Sequence, residues 1–367
     1  MRSLLSTKEQ RQLRLLEILI QKRDWIRLNE LAQTLECTER ILKNDLNELR
    51  TAFPNFKIQS SINGIILNLD TGASIEDIYI YFLSHSQSFQ LLEYMFFNEG
   101  LPIYRTVEKL HSSNANLYRL GNRITTILSK QFQIELSFTP TSLNGNEIDI
   151  RYFYAQYFSE RYYFLDWPFS DISEKVITEF ADYFYKSTNY PMRFAIYRMY
   201  KLMLAISIHR VKNGHFIDLP NHFYQDYYPV LINLPDFEDK LAYFSQQFGL
   251  EMTPDIVAQI FISFLQNDIF LDPQQFFDSL NKNDESRCSY QLLSQILERL
   301  SKAFNIKFAN HDELIWHLHN TAYFERQETF STPLLFEQKG ITLEKFKVYF
   351  PDFMESARQE LAQYRQA

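Results

Sequence analysis

Apolar positions recur at helical spacing from the start of the chain. Over residues 8–22, Leu13, Leu16, Ile18, Leu19 and Ile20 form one broad stripe, with Arg11, Arg14 and Lys22 outside it, which predicts an amphipathic helix. A shorter helix over 28–35 uses Leu28, Leu31 and Leu35. After a break at Glu36-Cys37-Thr38, Thr38 is placed to cap a third helix from 39 to about 52. In that helix Ile41, Leu42, Leu46 and Leu49 are expected to face inward, and Arg40, Lys43, Asn44 and Asn47 share the opposite face. Pro54 stops it. "FKIQSSINGIILNL" (56–69) then predicts two short strands around an Asn63-Gly64 turn. Three helices followed by a hairpin is the order of a winged helix-turn-helix.

The order repeats. Helices are predicted at 75–84, 87–97 and 102–110, and a longer one in "SSNANLYRLGNRITTILSKQF", opened by a capping serine and running to about 131. That helix buries Leu117, Leu120, Ile124, Ile127 and Leu128 and presents Asn116, Arg119, Asn122, Arg123 and Thr126 elsewhere. "IELSF" and "NEIDIRYF", joined through Asn144-Gly145, read as a second wing. From about 151 the period is almost wholly helical, with aromatic stripes such as "RYFYAQYFSERYYFLDWPF" that suit core packing far better than a cofactor box. Polar breaks at "DLPNHFYQDYYP" and near 281–288 divide this part, and the second is the better boundary.

Composition sharpens the picture. With 367 residues, 46% apolar and only 8 glycines, the chain calls for more than one core and for long helices. Two cysteines, Cys37 and Cys288, make no disulfide framework and suit a reducing cytosol. No uncharged run reaches the roughly 18 residues of a membrane span, and the opening segment is too charged for a signal peptide, so a soluble cytoplasmic protein is expected. The net charge of −8 is uneven: residues 1–70 hold 11 Lys and Arg against 9 Asp and Glu, whereas 151–367 hold 21 against 28. A basic surface is therefore available at the front only.

Two clusters invite chemistry. On the outer faces of the third helix of the first repeat and of the last helix of the second, Arg, Lys and Asn are the side chains that contact phosphates and base edges, so Arg40, Lys43, Asn44 and Asn47, with Arg119, Asn122 and Arg123, are candidates for binding double-stranded DNA. The second cluster, "NHDELIWHLHN" (310–320), gathers His311, Asp312, His317 and His319. A metal hydrolase using His311, Asp312 and His317 is disfavoured, because His317 and His319 lie about 200° apart on a helix and no HExxH occurs. No metal, no cofactor and no enzymatic activity are expected. Ordinary polar histidines remain one reading, and a phosphoryl-accepting regulatory histidine the other.

"LMLAISIHRVKNGHFIDLP" (202–220), with Arg210, Lys212, Asn213 and Gly214, resembles the start of a PRD module, the phosphotransferase-system regulation domain. "LIWHLHNTAYFERQ" (314–327), followed by "FKVYFPDFMESA", is similar to part of a second one. In order of modules the whole chain resembles the Mga/AtxA family of Gram-positive global and virulence transcription regulators. The fold class implied is mainly α: a winged helix-turn-helix over 1–72, a second over 73–150, and PRD-like modules over 151–280 and 281–367. The resemblance implies homodimers or larger assemblies, and control by a phosphocarrier protein of the phosphotransferase system. Its usual histidine, seven residues before the arginine, is replaced here by Met203 in the first module, where His209 lies nearby. In the second module the spacing from Arg326 selects His319, and the His-Leu pair selects His317. Family members continue into a domain resembling phosphotransferase component EIIB; with Ala367 last, the chain is either a fragment or a member lacking it. An RNA-binding antiterminator carrying PRD modules is the competitor, disfavoured because such proteins begin with a β-rich domain.

Overall fold

A computed structural model describes residues 2–162, 166–185, 194–218, 232–265, 273–281, 283–326, 335 and 349–366. It is mainly helical, with two short hairpins in its first 144 residues and helices alone among the described elements that follow. Its contacts group the chain into two units: Met1–Asn144 with Glu160–Asp166 and Pro333–Phe336, and Gly145–Ser159 with Trp167–Thr332 and Glu337–Ala367.

In the first unit a short 3-10 turn (Arg2–Leu4) precedes α1 (Thr7–Lys22), α2 (Leu28–Thr34) and α3 (Glu39–Ala52). Ser6 and Glu9 cap α1 reciprocally, and the Thr38 hydroxyl accepts from the Ile41 N–H at the start of α3. Strands β1 (Phe56–Ser61) and β2 (Gly64–Leu69) pair antiparallel, with Ser61 opposite Gly64. The loop residues are therefore Ile62 and Asn63, one position earlier than the Asn-Gly signal suggests. Gly64 takes φ +125° as the first residue of β2, where Ile65 bridges to Ile26. A Cβ at Gly64 would stand 2.1 Å from the Ile26 carbonyl oxygen, so the wing sits on its base only because this residue has none.

Helices α4 (Glu76–His85), α5 (Gln87–Phe97), α6 (Ile103–Lys109) and α7 (Asn114–Gln131) repeat the order. The second hairpin is β3 (Glu135–Phe138) with β4 (Thr141–Asn144). This corrects the second wing: "NEIDIRYF" is no strand but the beginning of α8 (Glu147–Tyr162). The alternation of "EIDIR" mimics a strand, yet the Asn146 side chain accepts from the N–H groups of Ile148 and Asp149, starting a helix instead. The two repeats share one interior. Tyr79 donates to Glu17, which also binds Arg2, and the Phe53 and Tyr81 rings lie 4.8 Å apart. Leu4 and Leu5 are fully buried.

In the second unit, α8 is apolar around its circumference and buried from Ile150 to Phe158 apart from Gln156. The aromatic stripe is core over its described residues Tyr152–Phe158 and at Phe169, as its spacing suggests. Helices α9 (Glu174–Tyr185), α10 (Phe194–Lys212), α11 (Phe237–Phe248) and α12 (Pro254–Leu265) follow. Phe180 is their focus, with Phe184, Phe244, Phe248 and Phe261 at ring distances of 4.8–5.6 Å. A second cluster joins Phe276 of α13 (Pro273–Ser279), Leu293, Ile296, Leu297 and Leu300 of α14 (Asp284–Phe304), and Ile315 and Trp316 of α15 (His311–Arg326). Phe353 and Leu361 of α16 (Pro351–Gln366) pack against it. Most of the break at 218–229 lies outside the described residues, whereas at 281–288 Asn283 caps α14.

Candidate nucleic-acid interface

Helix α3 is held to α1 by a buried carboxylate that periodicity does not reveal. Asp45 is buried, accepting from Arg11 Nε at 2.6 Å and from Gln12 Nε2 at 3.2 Å. Hydrogen bonding to Asp45 raises the Arg11 pKa, the direction an ion pair gives. Arg11 is thus half-buried and engaged, not outside the stripe. Ile41 is a second correction. It is exposed, walling a shallow cleft with Ala32, Cys37 and Thr38, because Leu42, Asp45, Leu46 and Leu49 already fill the inward face of α3. Burial pushes the half-buried Cys37 thiol up, away from a reactive thiolate.

The outer face of α3 is the opposite of this interior. Arg40, Lys43, Asn44 and Asn47 are all exposed. Among the described residues the side chains of Arg40, Lys43 and Asn44 have no hydrogen-bond or ion-pair partner, so three polar heads stand ready for an outside acceptor. Asn47 is held by Arg50, whose guanidinium also reaches the wing through Ile58 O at 2.9 Å and the Ser60 hydroxyl. Sequence periodicity missed Arg50, because its partners lie on a strand that only folding brings near.

The corresponding face of α7 is different. Arg119 donates to Asn116 Oδ1 at 2.8 Å, one turn away. Arg123 turns its head inward: Nη2 donates to Leu4 O and to Ser88 Oγ, each at 2.7 Å. Asn122 is exposed. Gly121 faces the second hairpin, and a Cβ there would meet the Phe138 ring at 2.3 Å.

The run Arg210-Val211-Lys212-Asn213-Gly214 has a local explanation. Gly214 adopts φ +84°, the Gly214 N–H reaches Val211 O at 2.9 Å and the His215 N–H reaches Arg210 O at 3.0 Å, which closes α10. Arg210 points inward and is 1% exposed, donating through Nη2 to Glu147 Oε2 at 2.7 Å. Glu147 Oε1 also accepts from the fully buried Arg151 at 2.9 Å, and Arg151 continues to the carbonyls of Gln259 and His215. Burial alone would raise the Glu147 pKa, but the hydrogen bonds and charge of Arg210, then of Arg151, hold it below the usual carboxylate range.

The three candidate histidines occupy three environments. His209 is buried near Phe169, with Nε2 3.2 Å from Asn213 Nδ2. His319 is buried between α14 and α13, its Nδ1 2.7 Å from Ser289 Oγ and its ring 4.7 Å from that of Phe276. His317 is half-exposed, with Nε2 3.7 Å from Glu313. His311 Nδ1 lies 3.5 Å from Asp312 Oδ1, which also accepts from the Tyr290 hydroxyl at 3.4 Å, and among the described residues no three His, Cys, Asp or Glu side chains gather as an ion's ligand set. The side chain of Arg326, from which the histidine spacing is counted, lies outside the described residues. No described helix is long and apolar enough to cross a membrane.

Comparison with known proteins agrees with this layout. The family model of the M protein trans-acting positive regulator (MGA) HTH domain matches residues 6–65, that of the Mga helix-turn-helix domain 71–158, and that of the MGA PRD domain 173–367. A Streptococcus pneumoniae serotype 4 protein named as a trans-acting regulator is 40% identical over 366 residues, which is 99% of this chain and 74% of the relative. The capsule synthesis positive regulator AcpB of Bacillus anthracis is 20% identical over 375 residues, 96% of this chain and 76% of its own length. The anthrax toxin expression trans-acting positive regulator of the same organism is 25% identical over 215 residues, 57% and 44% of the two chains.

Proposed function

This chain belongs to the Mga family of trans-acting positive regulators, and from that premise we propose that α3 is its DNA-reading helix. It is a transcription regulator of the Mga/AtxA virulence type with helix-turn-helix and PRD domains, a family of regulators and not of enzymes. One observation carries the assignment to α3: Arg40, Lys43 and Asn44 share an exposed face and spend nothing on intramolecular partners, whereas Arg119 and Arg123 of α7 are both engaged. In this reading α3 lies in the major groove with its N-terminal turns at the base edges. Arg40, in the first turn, contacts a base, and Lys43, a flexible point charge, contacts a phosphate. Asn44 and Asn47 add amide contacts, and α7, with Arg119, Asn122 and Arg123, has the lesser share.

The test is binding of the full chain to genomic fragments over a salt series. Arg40→Ala should cost roughly 1–3 kcal/mol and relax preference at one base pair. Lys43→Ala should weaken every sequence alike and lower the salt slope by about one. If Arg119→Ala and Arg123→Ala alone change binding, α7 is the reading helix. If no variant does while the fold stays intact, neither helix reads DNA.

Residues 151–367, with their surplus of acid, are proposed to pair two copies of the chain, so that two reading helices meet one duplex. The separate cores around Phe180 and around Phe276 support two modules, 151–280 and 281–367. A phosphocarrier protein is the proposed partner, and His319, His317 and His209 the proposed acceptors. The half-exposed setting of His317 supports it over His319, although its Nε2 is buried beside Glu313 and has to turn outward, whereas a phosphoryl group on His319 needs its ring to leave Ser289 and Phe276. Light scattering at micromolar concentration tests the pairing: a strict monomer removes it.

A further inference from the structure

Arg50 ends the reading helix and touches three things at once. Its Nε donates to Ile58 O at 2.9 Å, its Nη2 to the Ser60 hydroxyl, and its Nη1 to Asn47 Oδ1 at 3.1 Å. The first two fasten α3 to strand β1 of the wing. The third fixes a neighbouring side chain. A guanidinium has only donors, so the atom of the Asn47 amide that faces it must be the oxygen. The Nδ2 group, with two N–H donors, is then left on the exposed face that carries Arg40, Lys43 and Asn44.

That orientation decides what Asn47 can recognise. Reading adenine with both amide atoms needs Oδ1 turned to the base edge, accepting from N6, while Nδ2 donates to N7. Here Oδ1 is turned to Arg50 and one of its two lone pairs is used there, so the outward group is the Nδ2 donor. Resting on the assignment of α3 to the groove, we propose that Asn47 contacts DNA as a hydrogen-bond donor, to guanine O6 or N7 or to a phosphate oxygen, and that Arg50 is the positioning residue that turns its oxygen away from the base edge and so disfavours adenine. Arg50 performs this from the same guanidinium that locks the wing to the helix, so base reading and wing placement are coupled through one side chain.

The experiment uses the full chain and the tightest-binding genomic fragment, with every base pair substituted in turn, for the wild type, Asn47→Ala, Arg50→Ala and Arg50→Lys, each checked for fold by thermal melting. Asn47→Ala should weaken binding about threefold to tenfold, what one hydrogen bond of ordinary net strength is worth. If the acceptor is guanine, preference is lost at a guanine. If it is a phosphate, all sequences weaken together and the salt dependence stays unchanged, since no cation is removed. Arg50→Ala should release Oδ1 and let adenine be accepted at the position Asn47 covers. Arg50→Lys keeps the charge but not the fork, should restore melting more than it restores preference, and stands in if the alanine variant does not fold. The proposal is overturned if the preference that Asn47→Ala relaxes is for adenine, or if the Arg50 variants leave preference as it was. It is equally overturned if Asn47→Ala changes nothing while Arg40→Ala and Lys43→Ala weaken binding. If those two also change nothing, the assignment of α3 to DNA has failed, and the two failures are distinguished.

Discussion

Glu147 and Arg210, 63 residues apart, meet inside the second unit with Arg210 Nη2 2.7 Å from Glu147 Oε2. Arg151 lies on the other carboxylate oxygen, so one anion serves two buried cations. Removing it strands both. Glu147→Gln should destabilise the second unit by about 3–5 kcal/mol, the usual cost of breaking a buried pair from one side. Urea unfolding of the full chain followed through its second-unit tryptophans, Trp167 and Trp316, measures this; a loss below 1 kcal/mol contradicts it.

The same carboxylate gives an acid dependence. Its folded pKa is depressed, so its stabilisation is complete above the ordinary glutamate range, roughly pH 4.3, and is lost as the pH falls through the lower folded value. The gap in stability between wild type and Glu147→Gln should therefore be constant near neutrality and narrow in acid. A gap that widens in acid has the wrong sign.

Gly64→Ala should detach the wing. The substitution adds a Cβ against the Ile26 carbonyl at a backbone with φ +125°, so a loss of roughly 1–3 kcal/mol from strain alone is expected. Hydrogen exchange should show faster opening at Ile26 and Ile65, whose N–H groups bond each other's carbonyls. Unchanged exchange there would mean that the strands accommodate the methyl.

Arg123→Ala should act on stability and not on the salt slope. It removes one of the two donors to Leu4 O, which keeps Ser88 Oγ, and the donor to Ser88 Oγ itself, at about 0.5–1.5 kcal/mol. A slope reduced by about one, with stability unchanged, would instead make Arg123 a phosphate contact.

His319→Asp should melt well below His319→Asn, because a carboxylate beside Phe276 and Ser289 must be desolvated. His317→Asp, at a half-exposed position, should leave melting nearly unchanged, so an effect on dimerisation or promoter output there reports charge alone. If neither Asp variant alters either readout, the histidine switch is absent.

Helix existence was legible because apolar spacing and caps are local: Thr38 and Ser113 both cap as their positions suggest. The exposure of Arg40, Lys43, Asn44 and Asn47 on α3 followed from the same spacing. What was not legible depends on distant partners. Ile41 looks inward by character, but Asp45 takes an inward place because Arg11 and Gln12 of α1 neutralise and bond it. "NEIDIRYF" alternates like a strand, yet the Asn146 cap and the pairing of Glu147 with Arg151 one turn on favour a helix. Arg50 and Arg123 read as surface cations until the wing and the Leu4 carbonyl are in place. The family resemblance supplied the modules and their order, which spacing alone could not name.

The first turn of the chain has a practical consequence. The helix-turn-helix family model matches from residue 6, but Leu4 and Leu5 are already completely enclosed, and the Leu4 carbonyl is the shared acceptor of Ser88 and Arg123. The border of that shared domain and the border that folding requires differ by a few residues. Trimming the protein to the border of that shared domain would pull out a cork: α3 would be complete in sequence, yet the body that carries it would leak water at its base and be prone to aggregate.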